Sequence, residues 1–166
     1  RAVVWQNGVP TDLGSFGGLY TEAVDVNDRG EIAGNSEIPS RDLHPFLWWR
    51  GEMMDIGEQG AFVRAQAINN KGQVAGLGTM LSVPEDERDG HAAIWHRGRV
   101  TDLGTLGGDS SEAFAINNRG QVVGYSHTSH TPDDTVHAFL WEKGRMTDLG
   151  TLGGLVSFAF AINDRG

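Results

Sequence analysis

The segment Thr-Asp-Leu-Gly-Thr-Leu-Gly-Gly at residues 101–108 occurs again, unchanged, at residues 147–154. A looser copy lies at residues 11–18, and a shorter one, Met-Asp-Ile-Gly, lies at residues 54–57. The aspartate of the segment returns every 43 to 47 residues, at Asp12, Asp55, Asp102 and Asp148. A period of this size, made of short apolar runs and glycine-rich turns, is typical of a repeated β unit.

Each copy contains four short apolar runs that are separated by turn residues. Asn117-Asn118-Arg119-Gly120 fits a type I turn closed by a glycine bulge, and Asn7-Gly8 in the first copy is a strong signal for a tight hairpin. The run at residues 137–141 has apolar residues at successive positions, which is typical of a strand buried on both faces. Trp48, Trp95 and Trp141 recur in these runs and are expected to be buried between adjacent sheets. In the copy at residues 111–150, the pattern predicts strands centred near Ala115, Val122, Phe139 and Met146.

Four hairpin-linked strands make one antiparallel sheet, which must stack on neighbouring sheets to bury its faces. The sequence therefore predicts an all-β fold, a β-propeller-like array of four-stranded antiparallel blades with about 3.6 repeats. Residues 1–166 form one domain: 1–20 end a broken blade, 21–57, 62–104 and 111–150 are complete blades, and 157–166 begin a further blade with a fifteenth strand. We expect an arc of a longer propeller; an almost closed small ring and a stacked β-solenoid are the alternatives.

The repeated residues resemble the HAF repeat, which takes its name from a His-Ala-Phe triplet. The triplet stands at residues 137–139, the Ala-Ile-Asn-Asn-Arg-Gly-Gln-Val-Val-Gly run at 115–124, and the Thr-Asp-Leu-Gly segment follows in order. Two copies depart from the triplet, at residues 44–46 and 91–93. The resemblance covers the whole chain and implies an extracellular or cell-surface protein with many tandem copies, and it implies no particular activity.

Composition narrows the classes of function. The chain contains no cysteine, so disulfides, thiolate metal sites and a cysteine nucleophile are excluded. A formal net charge of −9 is opposite to the basic surface that a nucleic-acid-binding protein needs. No apolar run is long enough to span a membrane. No catalytic motif stands out from the repeat, which favours a protein without enzymatic activity.

Charge separates between the two faces of the predicted blades. The tight turns within each blade lie on one side, which we call the tight-turn face, and basic residues predominate there. The connections between the second and third strands, and those between blades, lie on the other side, which we call the loop face. Acidic residues predominate on the loop face, and all the length variation between copies is found there, at residues 35–43, 77–90 and 125–136. Variable loops on a rigid scaffold commonly carry recognition, although solvated loops tolerant of insertion would show the same pattern.

Candidate ligand-binding residues therefore lie on the loop face. They are Tyr20, Glu22, Glu85, Asp86, Glu87, Asp89, Asp109, Glu112, Asp133 and Asp134. His127, His130 and Asp133 form a weaker candidate for a metal site. No cofactor is expected beyond a divalent cation in such a loop.

The histidines His44, His91 and His137 recur at one position of the repeat, which indicates a structural hydrogen bond. The recurring aspartates are expected to accept backbone N–H bonds in the following turn.

Three kinds of function fit these features. The first is a secreted or surface-exposed scaffold or binding module that recognises a glycan or a protein through its variable acidic loops. The second is a propeller-type glycoside hydrolase or lyase, in which paired acids such as Asp109 and Glu112 would act together. The third is a purely structural surface protein. Further repeats of the same chain, or a second copy of it, are expected to complete the ring.

Overall fold

The computed structural model describes residues 1–57, 61–79, 90–129 and 135–166, and this part of the chain contains fourteen strands. A two-stranded sheet comes first and three four-stranded sheets follow, each an antiparallel meander in chain order. The strands are β1 (Val3–Gln6), β2 (Val9–Asp12), β3 (Thr21–Val26), β4 (Ile32–Glu37), β5 (Leu43–Trp49), β6 (Glu52–Asp55), β7 (Phe62–Ile68), β8 (Val74–Thr79), β9 (Gly90–His96), β10 (Arg99–Asp102), β11 (Ser111–Ile116), β12 (Val122–His127), β13 (Val136–Glu142) and β14 (Arg145–Asp148). The predicted all-β fold and its four-stranded blades are confirmed.

The sheets stack face to face, as their apolar pattern requires. Strand β7 packs across β3, β4 and β5 of the preceding blade, and β11 packs in the same way across β7, β8 and β9. Apolar side chains fill each interface, among them Phe46 and Ile32 in the first, Phe62 and Val74 in the second, and Phe139 in the third. Removal of this apolar surface from water is what holds one blade on the next.

The repeated tryptophans differ in burial. Trp95 is only 7% exposed and packs between two blades, as predicted. Trp48 and Trp141 pack against the corresponding cores but remain half-buried, so the prediction that they are fully buried is wrong. Trp5 stands at the equivalent position of β1 and is 69% exposed, because the described residues place no sheet against that side of β1.

Residues 157–166 do not form the predicted fifteenth strand. A single parallel bridge, between Val156 and Val136, precedes the segment. Within it, the Ser157 N–H bonds the carbonyl oxygen of Val136 at 2.8 Å and the Ala159 N–H bonds that of Gly124 at 3.3 Å. A regular strand needs a continuous ladder of partners, and no second strand lies beside this segment among the described residues. The Gly166 N–H still bonds the Asn163 carbonyl oxygen at 3.1 Å, so the turn expected at this position is present.

Each histidine of the repeat is paired with the aspartate of the repeat. Nδ1 lies 2.6 Å from the carboxylate in His44–Asp55, 3.0 Å in His91–Asp102 and 2.8 Å in His137–Asp148. An ionised carboxylate only accepts, so Nδ1–H is the donor. The same carboxylates accept the backbone N–H two residues later, at distances between 2.6 and 2.8 Å. Both predicted structural roles are confirmed, and in the first copy Arg1 replaces the histidine and bonds Asp12 at 2.7 Å.

A chain of asparagine side chains joins the first turns of successive blades. Nδ2 of Asn27 donates to the carbonyl oxygen of Asn69, Nδ2 of Asn69 donates to Asn117, and Nδ2 of Asn117 donates to Asn163, at 2.9 to 3.0 Å. In the first three of these turns, Oδ1 also accepts two backbone N–H groups of its own turn, such as those of Lys71 and Gln73 for Asn69. One side chain per repeat therefore shapes the turn and fixes the next blade.

The first strand of each complete blade carries a β-bulge, at Val24, Gln66 and Phe114. The second strand has a glycine opposite the bulge, for example Gly124. A Cβ on Gly124 would collide with the carbonyl oxygen of Glu112, so the close approach of these two strands requires glycine. The bulge interrupts the regular alternation of side chains between the two faces of the sheet. It therefore affects which side chains lie on the surface at the inner edge of the array.

Candidate functional site

The first strands β3, β7 and β11 lie side by side along the inner edge of the array, and β7 contacts both of the others. Ala65 and Ala113 on these strands are fully buried in the sheet interfaces. The residues on either side of each alanine therefore point to the opposite, inner surface. We call this surface the inner wall; it is formed by Glu22, Arg64, Gln66, Glu112, Phe114, Phe158 and Phe160. Val24 instead packs against the apolar core between the first two complete blades.

One half of the inner wall is a hydrogen-bonded polar row. Tyr20 donates its hydroxyl to Oε2 of Glu22 at 2.7 Å. Between the next two blades, Nε2 of Gln66 on β7 donates to Oε1 of Glu112 on β11 at 2.9 Å, and Nη1 of Arg64 lies 3.9 Å from the same oxygen. The row alternates in charge from acid to base to acid: Arg64 offsets the charge of Glu112, and Tyr20 donates a hydrogen bond to Glu22.

Asn35 ties this row to the sheet beneath it. Its side chain is fully buried, and Nδ2 donates to Oε1 of Glu22 at 3.0 Å and to the Ala65 carbonyl oxygen at 3.1 Å. Its Oδ1 accepts the Ala65 N–H at 2.9 Å. Because a buried amide that satisfies three partners has little freedom to move, Glu22 is held in place before any ligand arrives.

The other half of the inner wall is aromatic. Phe114 and Phe160 stack with ring centroids 5.1 Å apart and planes 10° apart, and Phe158 lies 5.8 Å from Phe160. The Tyr125 ring contacts this group from β12, 5.3 Å from Phe158 and 5.4 Å from Phe114. Phe158 is 45% exposed and Phe160 is 70% exposed, so the group presents an apolar aromatic surface to solvent.

The two tyrosines beside the wall are neutral hydrogen-bond donors. The hydrogen bond to Glu22 raises the pKa of Tyr20, and the charge of Glu22 adds to the effect. Partial burial raises the pKa of Tyr125, and the charge of Glu112 acts in the same direction. Because each pKa lies above the ordinary tyrosine value near 10, neither hydroxyl is ionised at neutral pH. Both groups suit binding by hydrogen bonds better than nucleophilic attack.

The structure brings together three of the predicted site residues, Tyr20, Glu22 and Glu112, at the inner wall. Asp109 is exposed in the connection between β10 and β11, outside the strand that holds Glu112. Glu112 is only 9% exposed and accepts a hydrogen bond from Gln66 of the neighbouring blade, so this acid also contributes to the packing of one blade on the next. Six candidates on the loops fall outside the described residues: Glu85, Asp86, Glu87, Asp89, Asp133 and Asp134.

Sequence reasoning missed the basic and aromatic members of the wall. Arg64, Phe158 and Phe160 stand at the positions held by Glu22 and Val24 in the first complete blade. The alanine between the two positions repeats at Ala23, Ala65, Ala113 and Ala159, while the pair of residues that flanks it differs from copy to copy. This variation on both sides of the repeated alanine was the available signal in the sequence. It lies within a strand, whereas the search for binding residues was limited to the loops.

Two residues of the predicted metal site, His130 and Asp133, lie outside the described residues. His127, the third candidate, is at the end of β12 with its ring 6.2 Å from that of Tyr125. Within the described ranges, no three His, Asp or Glu side chains come together in a group that could hold a metal ion. A divalent cation in the loop at residues 125–136 stays a prediction.

The stacked blades are similar to a solved structure, the β-propeller domain of the Trilobed protease from Pyrococcus furiosus, which has an open velcro topology. The TM-score is 0.59 at 17% sequence identity, over 91% of this chain and 43% of that chain. No family model matches the chain, and no curated protein matches it. The likeness shows the fold: the chain is a β-propeller-like array of four-stranded blades that spans less than half of that propeller chain. No helix among the described residues is long and apolar enough to cross a membrane.

Proposed function

We propose that this protein is a binding module that recognises a neutral glycan at its inner wall. The observation that carries the proposal is the position of an exposed aromatic surface, Phe158 and Phe160, beside a fixed row of hydrogen-bonding groups. Ligand sites commonly combine apolar and aromatic lining with a few precisely placed polar groups. A sugar ring has matching surfaces, since its C–H face is apolar and its rim carries hydroxyl groups.

Charge favours a neutral glycan over an anionic ligand at this site. Glu22 and Glu112 carry two negative charges against the single positive charge of Arg64. A phosphate or carboxylate ligand would be repelled by this balance, while hydroxyl groups can donate to the carboxylates and accept from the guanidinium. The wall is also fixed in advance by Asn35 and Gln66, which lowers the entropy lost on binding.

The same proposal includes an extracellular or surface location and additional repeats. The location follows from the resemblance to the HAF repeat. Additional repeats, or a second copy of the chain, are supported by a groove of about 280 Å³ along the inner edge of β3, lined by Val3, Val4, Ala23, Val24 and Ile32. Val26 beside it is 56% exposed, an apolar surface that a further β strand would cover.

A glycan array with the wild-type chain, followed by calorimetry on its best neutral oligosaccharide, tests the proposal. Phe160→Ala removes the most exposed ring of the wall and should weaken binding about tenfold, as loss of one aromatic contact does. Val9→Ala is the matched control, because it removes a side chain that is 63% exposed but lies on β2, away from the wall. Equal binding by both variants and the wild type would overturn the proposal.

A further inference from the structure

A second cleft opens on the tight-turn face, between the β1–β2 sheet and the first complete blade. Its volume is about 560 Å³, and its lining includes Trp5, Trp48, Trp49, Arg29 and Arg50. This size is within the range of small-molecule sites, roughly 300–1,000 Å³. The inner wall contributes no residue to the cleft lining, so the two features are separate.

The cleft is cationic and aromatic. The Arg50 guanidinium carbon lies 4.3 Å from the centroid of the Trp49 ring, which holds the charge over an aromatic face. Arg29 is half-exposed and bonded to Glu31 at 2.7 Å, but the Glu31 side chain does not line the cleft. No carboxylate belongs to its lining, and no described ion pair includes Arg50. A bound anion would therefore meet the Arg50 guanidinium, which makes no described ion pair, and the Arg29 guanidinium, whose charge Glu31 partly offsets.

The next cleft along the array provides an internal comparison. It lies between the first and second complete blades at the same end and measures about 240 Å³. There His96 stands where the first cleft has Trp49, Trp95 is buried, and Glu31 contributes a carboxylate to the lining. The repeat explains why a cleft exists at both of these blade junctions, but it does not explain the exposed ring of Trp49 or the absence of an acid in the first cleft.

We infer that the first cleft is a second binding site, for a short acidic oligosaccharide. Guanidinium groups pair with carboxylates through charge-assisted hydrogen bonds, and rigid indole planes offer flat apolar surfaces to sugar rings. The planar rings favour a sugar over a flexible acidic peptide. The net charge of −9 opposes long polyanions such as nucleic acid, so the ligand is short. The two sites thus select a neutral glycan at the inner wall and an acidic one on the tight-turn face.

Calorimetry with α-1,4-trigalacturonate tests this inference, with its fully methyl-esterified form as the neutral control of the same shape. The wild-type chain should bind the acid at least about tenfold more tightly than the ester, since the ester lacks the charged hydrogen bonds. Arg50→Gln should remove most of that preference, and Trp49→Ala should weaken both ligands. Arg97→Gln alters the equivalent position of the next cleft and should leave the Kd unchanged, as should Phe160→Ala at the inner wall.

Three results would overturn the inference. Equal binding of acid and ester would show that the arginines do not recognise a carboxylate. If Arg97→Gln lost the preference for the acid as fully as Arg50→Gln, the preference would come from the overall charge of the tight-turn face and not from the first cleft. Tighter binding of hexaglutamate than of trigalacturonate would assign the cleft to an acidic peptide. If Phe160→Ala no longer binds the neutral glycan but still binds trigalacturonate, the cleft and the inner wall are independent sites. The inference about the cleft and the proposed function can therefore fail separately.

Discussion

Nδ2 of Asn69 donates a hydrogen bond across a blade interface to the backbone carbonyl oxygen of Asn117, at 3.0 Å. Asn69 is 3% exposed, and its Oδ1 also accepts the N–H groups of Lys71 and Gln73. The asparagine of each repeat is thus both a turn residue and a link to the following blade. The periodic asparagine in the sequence marks this double role.

Asn69→Ala should lower the free energy of unfolding by about 2–3 kcal/mol, because it leaves buried backbone groups without partners. Urea denaturation measures the change. Asn163→Ala is the matched control, since Asn163 is exposed and its side chain bonds only Arg165 N–H of its own turn among the described contacts. A similar loss in both variants would contradict a role for the link between blades.

Gly124→Ala should destabilise the protein by about 1–3 kcal/mol, toward the upper end, because the added Cβ meets the backbone oxygen of Glu112 opposite the bulge. A backbone atom cannot move aside as a flexible side chain can. Gly154→Ala serves as control, because no atom lies within 4 Å of a Cβ built there. Thermal unfolding of the two variants compares the positions directly, and an unchanged Tm for Gly124→Ala would rule out the close approach.

Trp95→Ala should cost about 3–5 kcal/mol, as deletion of a large aromatic side chain from a core does. Trp5→Ala, at the equivalent position of β1, should cost less than about 1 kcal/mol because its ring is mostly in solvent. Chemical denaturation gives both values. If the two costs were equal, the sheets would not stack in the order described.

The hydrogen bonds of Asp148 make the free energy of unfolding depend on pH. Partial burial opposes ionisation, but hydrogen bonds from His137 and from the Gly150 N–H outweigh it and lower the pKa of Asp148 below 3.8. Its stabilisation is therefore present above about pH 3.8 and is lost as the pH falls through the lowered pKa of the folded state. Asp148→Asn should be less stable than the wild type at pH 6, and the difference should disappear near about pH 2. A difference that persists at the lower pH would contradict ionic pairing.

The sequence predicted the parts of the structure that every copy repeats. The hairpin turns, the role of Asp102 as acceptor of a backbone N–H in its turn and the burial of Trp95 follow from local chemistry that recurs with the period. The inner wall was only partly predicted, because Glu22 and Arg64 acquire meaning from their neighbours in other blades. The β-bulge at Phe114 was also not visible in the alternation of the strand, and it is the bulge that adds this ring to the wall.

Hydrogen exchange of the wild-type chain, with and without the neutral oligosaccharide that binds best on the array, tests the central claim most directly. Binding at the inner wall should slow exchange in β7, in β11 and in residues 157–162, with no change in the turns at residues 27–30 and 117–120. Protection confined to those turns, or found equally in Phe160→Ala, would contradict recognition at the inner wall.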